Sequence, residues 1–259
     1  MKCKDIISYL ELLSPPQNAC SWDNVGLLVG RSDKEVHKIL IALDATVEVV
    51  KAAVKQDVDL LITHHPMIFS SMKKINEDSV CGSKILDLAE NQIAYYAMHT
   101  NFDILGGMAQ IAAERMMLKN VKPLECMEGN PELGLGCIGE AVESMQLKDC
   151  AKMVKEKFSL SEVAVYGDLK QPISRIAMCP GSGKSMISMA KEQGAQVLIT
   201  GDIGHHEGLD AIEMGLSIID ATHYGLESVF SDYIKEYLEE KIGGVDIYTY
   251  DEKRPFSLV

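Results

Sequence analysis

The chain has 259 residues, 47% hydrophobic and 24% charged, the mix of a globular protein with a sizeable core in one large or two packed domains. Its formal net charge of −13 repels phosphate backbones and anionic membranes, which argues against nucleic acid as a partner. No apolar run approaches the roughly 20 residues of a membrane span. Seven singly scattered cysteines, with no C-x-x-C pair, read as reduced thiols of a soluble cytoplasmic protein.

The N-terminal segment MKCKDIISYLELL reads as an amphipathic helix, because Asp5 and Glu11 interrupt any continuous signal-peptide core. A buried-strand pattern, ILIAL at 39–43, leads into an apolar-periodic helix at 47–56 and a second strand, DLLIT at 59–63. A further helical stretch precedes the strand AYYAM at 94–98, which runs into His99. Residues 127–136 (MEGNPELGLG) are Gly/Pro-rich and mark a linker or hairpin turn. A helix over 146–158 carries Leu147, Cys150, Ala151, Val154 and Phe158 on one stripe.

The first pattern then recurs. RIAMC at 175–179, a helix over 184–193 and QVLIT at 196–200 repeat the earlier order, with Ile39 matching Ile176 and Leu60 matching Val197, both at an offset of 137. LSIID at 216–220 leads to His223 as AYYAM leads to His99, and each histidine has an acid four residues on, Asp103 and Glu227. The last helix is expected over 223–241, and the strand VDIYTY at 245–250 is expected to return to the first lobe. The pattern predicts an α/β fold of two similar lobes from an internal duplication, with mainly parallel sheets flanked by helices. The first lobe takes residues 1–125 plus about 215–259, and the second takes 126–214. Ligands of such sheets gather at the carboxyl ends of strands, where both histidine motifs fall.

Those motifs carry the chemistry. In T-H-H-P at 63–66, consecutive histidines on an extended chain point in different directions, which suits two metal ions better than one. Pro66 keeps His65 extended. His223 and Glu227 share a helix face about 40° apart, and no Arg or Lys stands three or four residues from Glu227 to neutralise it locally. A buried carboxylate needs a partner, and a divalent cation is one. Asp103 offers a carboxylate beyond its strand, while His99 suits a ligand, a proton shuttle or a residue that orients a ligand from behind. Imidazole and carboxylate donors without sulfur suit zinc, manganese, iron, cobalt or nickel.

T-H-H-P, H-T-N-F-D, T-G-D-I-G-H-H and A-T-H-Y-G-L-E, with S-W-D-N-V-G-L at 21–27, closely resemble the Nif-three-like family, whose members are often named homologues of GTP cyclohydrolase I type 2. The resemblance implies a two-lobed subunit, a homohexameric ring and a dinuclear metal site, here in a short form without an inserted domain. It implies that His65 and Asp103 hold one ion, His64 and His223 the other, with Glu227 bridging. The activity it implies is metal-dependent hydrolysis of a small molecule, a nucleotide such as GTP, with His99 or His206 transferring protons. A non-catalytic metal carrier or protein-docking scaffold is the alternative.

Other signals weigh less. G-S-G-K-S at 181–185 lacks the glycine of a P-loop, since that position is Met178. Lys73, Lys74 and Lys184 are the cations available to a triphosphate. His205 has slipped from the place of the first histidine pair, His37 lies in a charged stretch, and Asp23 and Asn24 suit either the site or a turn.

Overall fold

The computed structural model describes residues 1–104 and 107–257. It divides into two compact units, Met1–Leu105 with Val229–Val259, and Gly106–Ser228. The first unit contains strands β1 (Gly26–Val29), β2 (Lys38–Asp44), β3 (Leu60–His65) and β4 (Ala94–Ala97). The second contributes β5 (Lys119–Met127), β6 (Asn130–Gln146), β7 (Ala164–Tyr166), β8 (Pro172–Ser182), β9 (Val197–Gly201) and β10 (Ser217–Asp220). Strand β11 (Asp246–Thr249) rejoins the first unit's sheet, as the closing strand was expected to do, and it pairs parallel with β2.

In the first unit the order is β1-β4-β3-β2-β11, and all neighbours are parallel except β1 against β4. Residues 39–43 of β2 are all buried, because helices cover both faces of a parallel sheet and a continuous apolar run is what such a strand needs. Helix α1 is Cys3–Leu13, the predicted N-terminal helix. On one sheet face Leu40, Ala42, Leu61 and Tyr95 pack with Val49, Val50 and Ala53 of α2 (Val47–Lys55) and Leu88 of α3 (Val80–Glu90). Thr46 caps α2, accepting from the Val49 amide, and Ser79 caps α3 through the Gly82 amide.

The second sheet runs β5-β6-β8-β9-β10-β7. Its β8-β9-β10 core is parallel, whereas β5, β6 and β7 join antiparallel. The 127–136 stretch is a hairpin whose strands meet at Met127 and Asn130, with Gly129 at φ +79° in the turn. The duplication is visible in the registers, since Ile39 pairs with Leu60 as Ile176 pairs with Val197. The boundaries expected near 125 and 215 fall elsewhere: β5 pairs with β6 and β10 with β9 and β7, so both belong to the second unit. The helix expected over 223–241 is two, split at Ser228: a short α-helix His223–Glu227 and a longer one Val229–Lys241. Among the described residues no helix is long and apolar enough to cross a membrane.

One buried hydroxyl fixes the corner at the end of β3. The Tyr95 hydroxyl lies 2.8 Å from Thr63 Oγ1, accepts from the Met67 amide (2.9 Å) and reaches the His65 carbonyl (3.1 Å). Burial pushes this phenol up to about 12, so it stays protonated and able to donate. Tyr95→Phe strands the Met67 amide and is expected to lower the unfolding free energy by about 1–3 kcal/mol. Urea denaturation measures it, and a change within error would show that the hydroxyl does not hold the corner.

Candidate metal centre

Three histidines gather at the carboxyl edge of the first unit's sheet. Their ligand-capable nitrogens, on His64, His65 and His99, lie within 4.8 Å of one another. His64 and His65 end β3, the strand between β4 and β2, and consecutive side chains on an extended strand diverge. His64 turns toward β4, its Nδ1 2.8 Å from the Met98 carbonyl. His65 turns toward β2, its Nδ1 2.9 Å from Asp44 Oδ1. A carbonyl and a carboxylate only accept, so each Nδ1 carries the proton and each Nε2 keeps a lone pair for a cation. His64 is fully buried, with the Phe102 and Phe230 rings 6.1 and 5.1 Å from its own, a setting of low dielectric.

His99 repeats the device. Its Nδ1 sits 3.0 Å from Asp23 Oδ1, and the other carboxylate oxygen of Asp23 accepts from the Thr100 amide and hydroxyl. Burial alone would raise the Asp23 carboxyl, but the bonds from His99 and Thr100 hold it well below the ordinary carboxylate range. Asp23 is therefore an ionised anchor. The His99 amide donates to Asn101 Oδ1, and Asn101 Nδ2 donates to the buried Ser14 carbonyl.

Asp103, on the short helix Thr100–Ile104, presents Oδ1 3.6 Å from His64 Nε2. The family resemblance pairs Asp103 with His65, the neighbouring imidazole. Behind His65, the Glu252 carboxylate accepts from the amides of Leu43 and Asp44, tying the C-terminal tail to the end of β2. Burial pushes the Glu252 carboxyl up, and these two amides offset part of that rise.

The second unit builds a matching edge. His223 Nε2 lies 2.9 Å from Glu227 Oε2, one helical turn on, and His223 Nδ1 lies 2.7 Å from Asp202 Oδ2. A proton on each nitrogen, or a cation shared by Nε2 and Oε2, satisfies that geometry. Thr222, just before His223, has φ +65° and ψ 154°, a conformation that is costly for a β-branched residue. Asp220 helps to hold it, taking the Thr222 amide on one oxygen and the Ile203 amide on the other, while Thr222 Oγ1 accepts from the Gly225 amide. Gly181 (φ +74°) leaves room for the carboxylate, since a Cβ there would lie 2.5 Å from Glu227 Oε1. Gly201 does the same for the backbone, because its Cβ would lie 2.4 Å from the His223 nitrogen.

The structure thus groups His64, His65, His99 and Asp103 on one unit, and His223 with Glu227 on the other. His206 is exposed on the first turn of the helix His205–Glu213, its ring 5.2 Å from that of His205. Lys184 is exposed as well. The orienting acids Asp44 and Asp202 went unread in the sequence, although each sits at or just after the end of a strand that also leads to the site. These groups of imidazoles and carboxylates can hold a metal ion. The donor chemistry fits, with tautomers preset and no thiolate offered by the described residues of either group.

A two-unit α/β chain with this histidine edge is a member of the Duf34/NIF3 (NGG1p interacting factor 3) family, whose model matches residues 1–255. A Clostridium perfringens relative named "GTP cyclohydrolase 1 type 2 homolog" is 34% identical over 264 residues, covering 100% of both chains. Among solved structures, a Bacillus cereus protein related to NIF3 superposes with TM-score 0.92 at 26% identity, covering 100% of this chain and 99% of that one. Reduced HcgD from Methanocaldococcus jannaschii gives TM-score 0.85 at 33% identity over 97% and 98% of the two chains.

If the acids behind the imidazoles set their tautomers, Asp44→Asn and Asp202→Asn should each weaken metal binding about 10- to 100-fold with the fold intact. Chelator competition followed with a zinc-sensitive dye measures this, and unchanged affinity in both variants would refute the assignment. Gly181→Ala tests the clearance. The alanine must take a left-handed φ at about 1–2 kcal/mol and crowd Glu227, so metal content should fall together with the melting temperature.

Proposed function

We propose that this chain is a dinuclear metal-dependent hydrolase, and that its reaction is of the GTP cyclohydrolase I type 2 kind: GTP and water to formate and dihydroneopterin triphosphate. What carries the reading is the acceptor at Nδ1 of His64, His65, His99 and His223, which leaves Nε2 of each as the nitrogen to offer a cation. In this reading His65 and Asp103 would hold one ion, His64 and His223 the other, and Glu227 would serve both. Two divalent ions bound there would make a water nucleophilic near neutral pH and polarise the bond attacked.

The remaining chemistry falls to the chain's own groups. His99 is favoured over His206 for proton transfer, because Asp23 fixes its ring and leaves Nε2 as the base. That nitrogen takes a proton from the attacking water and returns it to the nitrogen released as the formamidine carbon leaves as formate. The name shared by the bacterial relatives supports the substrate class. A homohexamer, near six times 28.5 kDa by light scattering, is the assembly we expect.

Metal analysis and turnover together test the proposal. The parent should hold two ions per chain, and Glu227→Ala should lose most of both. His99→Ala should keep its metals and lose about two orders of magnitude in formate release from GTP. A fully metallated parent that releases no formate with any of the five metals would overturn the cyclohydrolase reading and favour a metal carrier.

A further inference from the structure

Two large aromatic side chains stand unburied beside the histidine edge of the first unit. Trp22 is 57% exposed and Phe69 54%, with ring centroids 5.8 Å apart at an angle of 46°. Scattered exposed apolar residues need no explanation, but a fixed pair next to a candidate centre does. These two are fixed. Asp23 follows Trp22, and its side chain is wholly buried in the grip of His99 and Thr100. Asn24 follows in turn, and its Nδ2 donates to the Ile68 carbonyl at 2.6 Å, pinning the loop of Phe69 to the loop of Trp22. Both backbones are therefore held before any ligand arrives, which lowers the entropic cost of using the rings.

The geometry sets how they would be used. A planar ring inserted between two others needs about 7 Å between their centroids, two contacts of roughly 3.5 Å, so the pair is a platform and not a clamp. His99 stands beside it, its ring 6.1 Å from Trp22 and 6.5 Å from Phe69, both edge-on. His99 in turn lies 5.2 Å from His64 and 5.5 Å from His65. A flat ligand stacked on Trp22, its edge against Phe69, would thus have its near side at the proton-transfer residue and the metal-facing imidazoles. The loop of Phe69 continues into Lys73 and Lys74, both exposed, where an anionic tail would find charge in an otherwise acidic protein.

We infer that Trp22 and Phe69 form the base-stacking platform of this site, and that its ligand carries a planar nitrogen heteroaromatic ring of the nucleobase class. The inference rests on the proposed hydrolase reading for its substrate but can be tested apart from it. Every base presents a π-face, so the platform selects for a flat ring and not for one base.

Trp22 is the single tryptophan of the chain, so its fluorescence reports on the platform alone. The full-length protein, stripped of metal with a chelator and excited at the red edge of tryptophan absorption, is titrated with guanosine 5′-monophosphate and, separately, with ribose 5-phosphate. Saturable quenching by the nucleotide and none by the sugar phosphate is the expected result. Phe69→Ala should weaken the nucleotide roughly five- to hundredfold, while Phe69→Tyr should bind within about twofold of the parent. Circular dichroism of both variants should match the parent, because Phe69 is exposed. Equal response to the two ligands, or Phe69→Ala binding as the parent does, would overturn the platform. So would a Trp22 emission that shifts on dilution without ligand, which would mean that a second copy of the chain covers the rings. Quenching without formate release in the metal-loaded protein would keep the platform and remove the cyclohydrolase; formate release without quenching would do the reverse.

Discussion

A hydrogen bond from the rear nitrogen of each site histidine to a group that can only accept is the constraint on which the centre depends. Neutral imidazole has two tautomers, and only one of them offers Nε2 as a donor to a cation. The Met98 carbonyl and the carboxylates of Asp44 and Asp23 settle that choice for His64, His65 and His99, while His223 stands between two carboxylates, Asp202 at Nδ1 and Glu227 at Nε2. Each acceptor sits at or close to the carboxyl end of a strand or in a loop braced against one. The direction of every imidazole is therefore inherited from strand order. This is why a sheet whose strands run parallel is useful here: it brings several chain ends, each with its own acceptor, to one edge.

The duplication explains why the two edges differ. By the offset that relates Ile39 to Ile176, Gly201 stands where the first unit has His64, and Asp202 stands where it has His65. By the same count Gly181 matches Asp44, although the β8–β9 register shifts between Met178 and Ser182. The first copy spends these positions on ligands and an orienting acid. The second spends two of them on clearance, Gly181 for the Glu227 carboxylate and Gly201 for the backbone of His223, and the third, Asp202, on orienting His223. Its donors come instead from the segment after β10, where the strained Thr222 turns the chain into the helix. Equivalent strands thus carry different side chains at their carboxyl ends.

Much of this was legible in the residues. Strand and helix periods gave the βα order, and the repeat predicted registers that the two sheets share. Paired histidines after an apolar strand, and a histidine with a glutamate one helical turn on, are strong local signals. Other features depend on partners distant in sequence and carry no such signal. Asp44 meets His65 across 21 residues and Asp202 meets His223 across 21, while Asp23 meets His99 across 76. The hairpin strands β5 and β6 extend a sheet that the repeat describes only in its parallel core, so the boundary near 125 was misplaced. The break at Ser228 is hidden because apolar spacing continues through it.

The bond between Glu252 and the amides of Leu43 and Asp44 has a practical side. It places the segment around Glu252 under the acid that aims His65, 208 residues away in sequence. Replacing Glu252 would loosen Asp44 while leaving every candidate donor in place. A preparation altered in this way would keep its secondary structure while His65 lost the support that aims it.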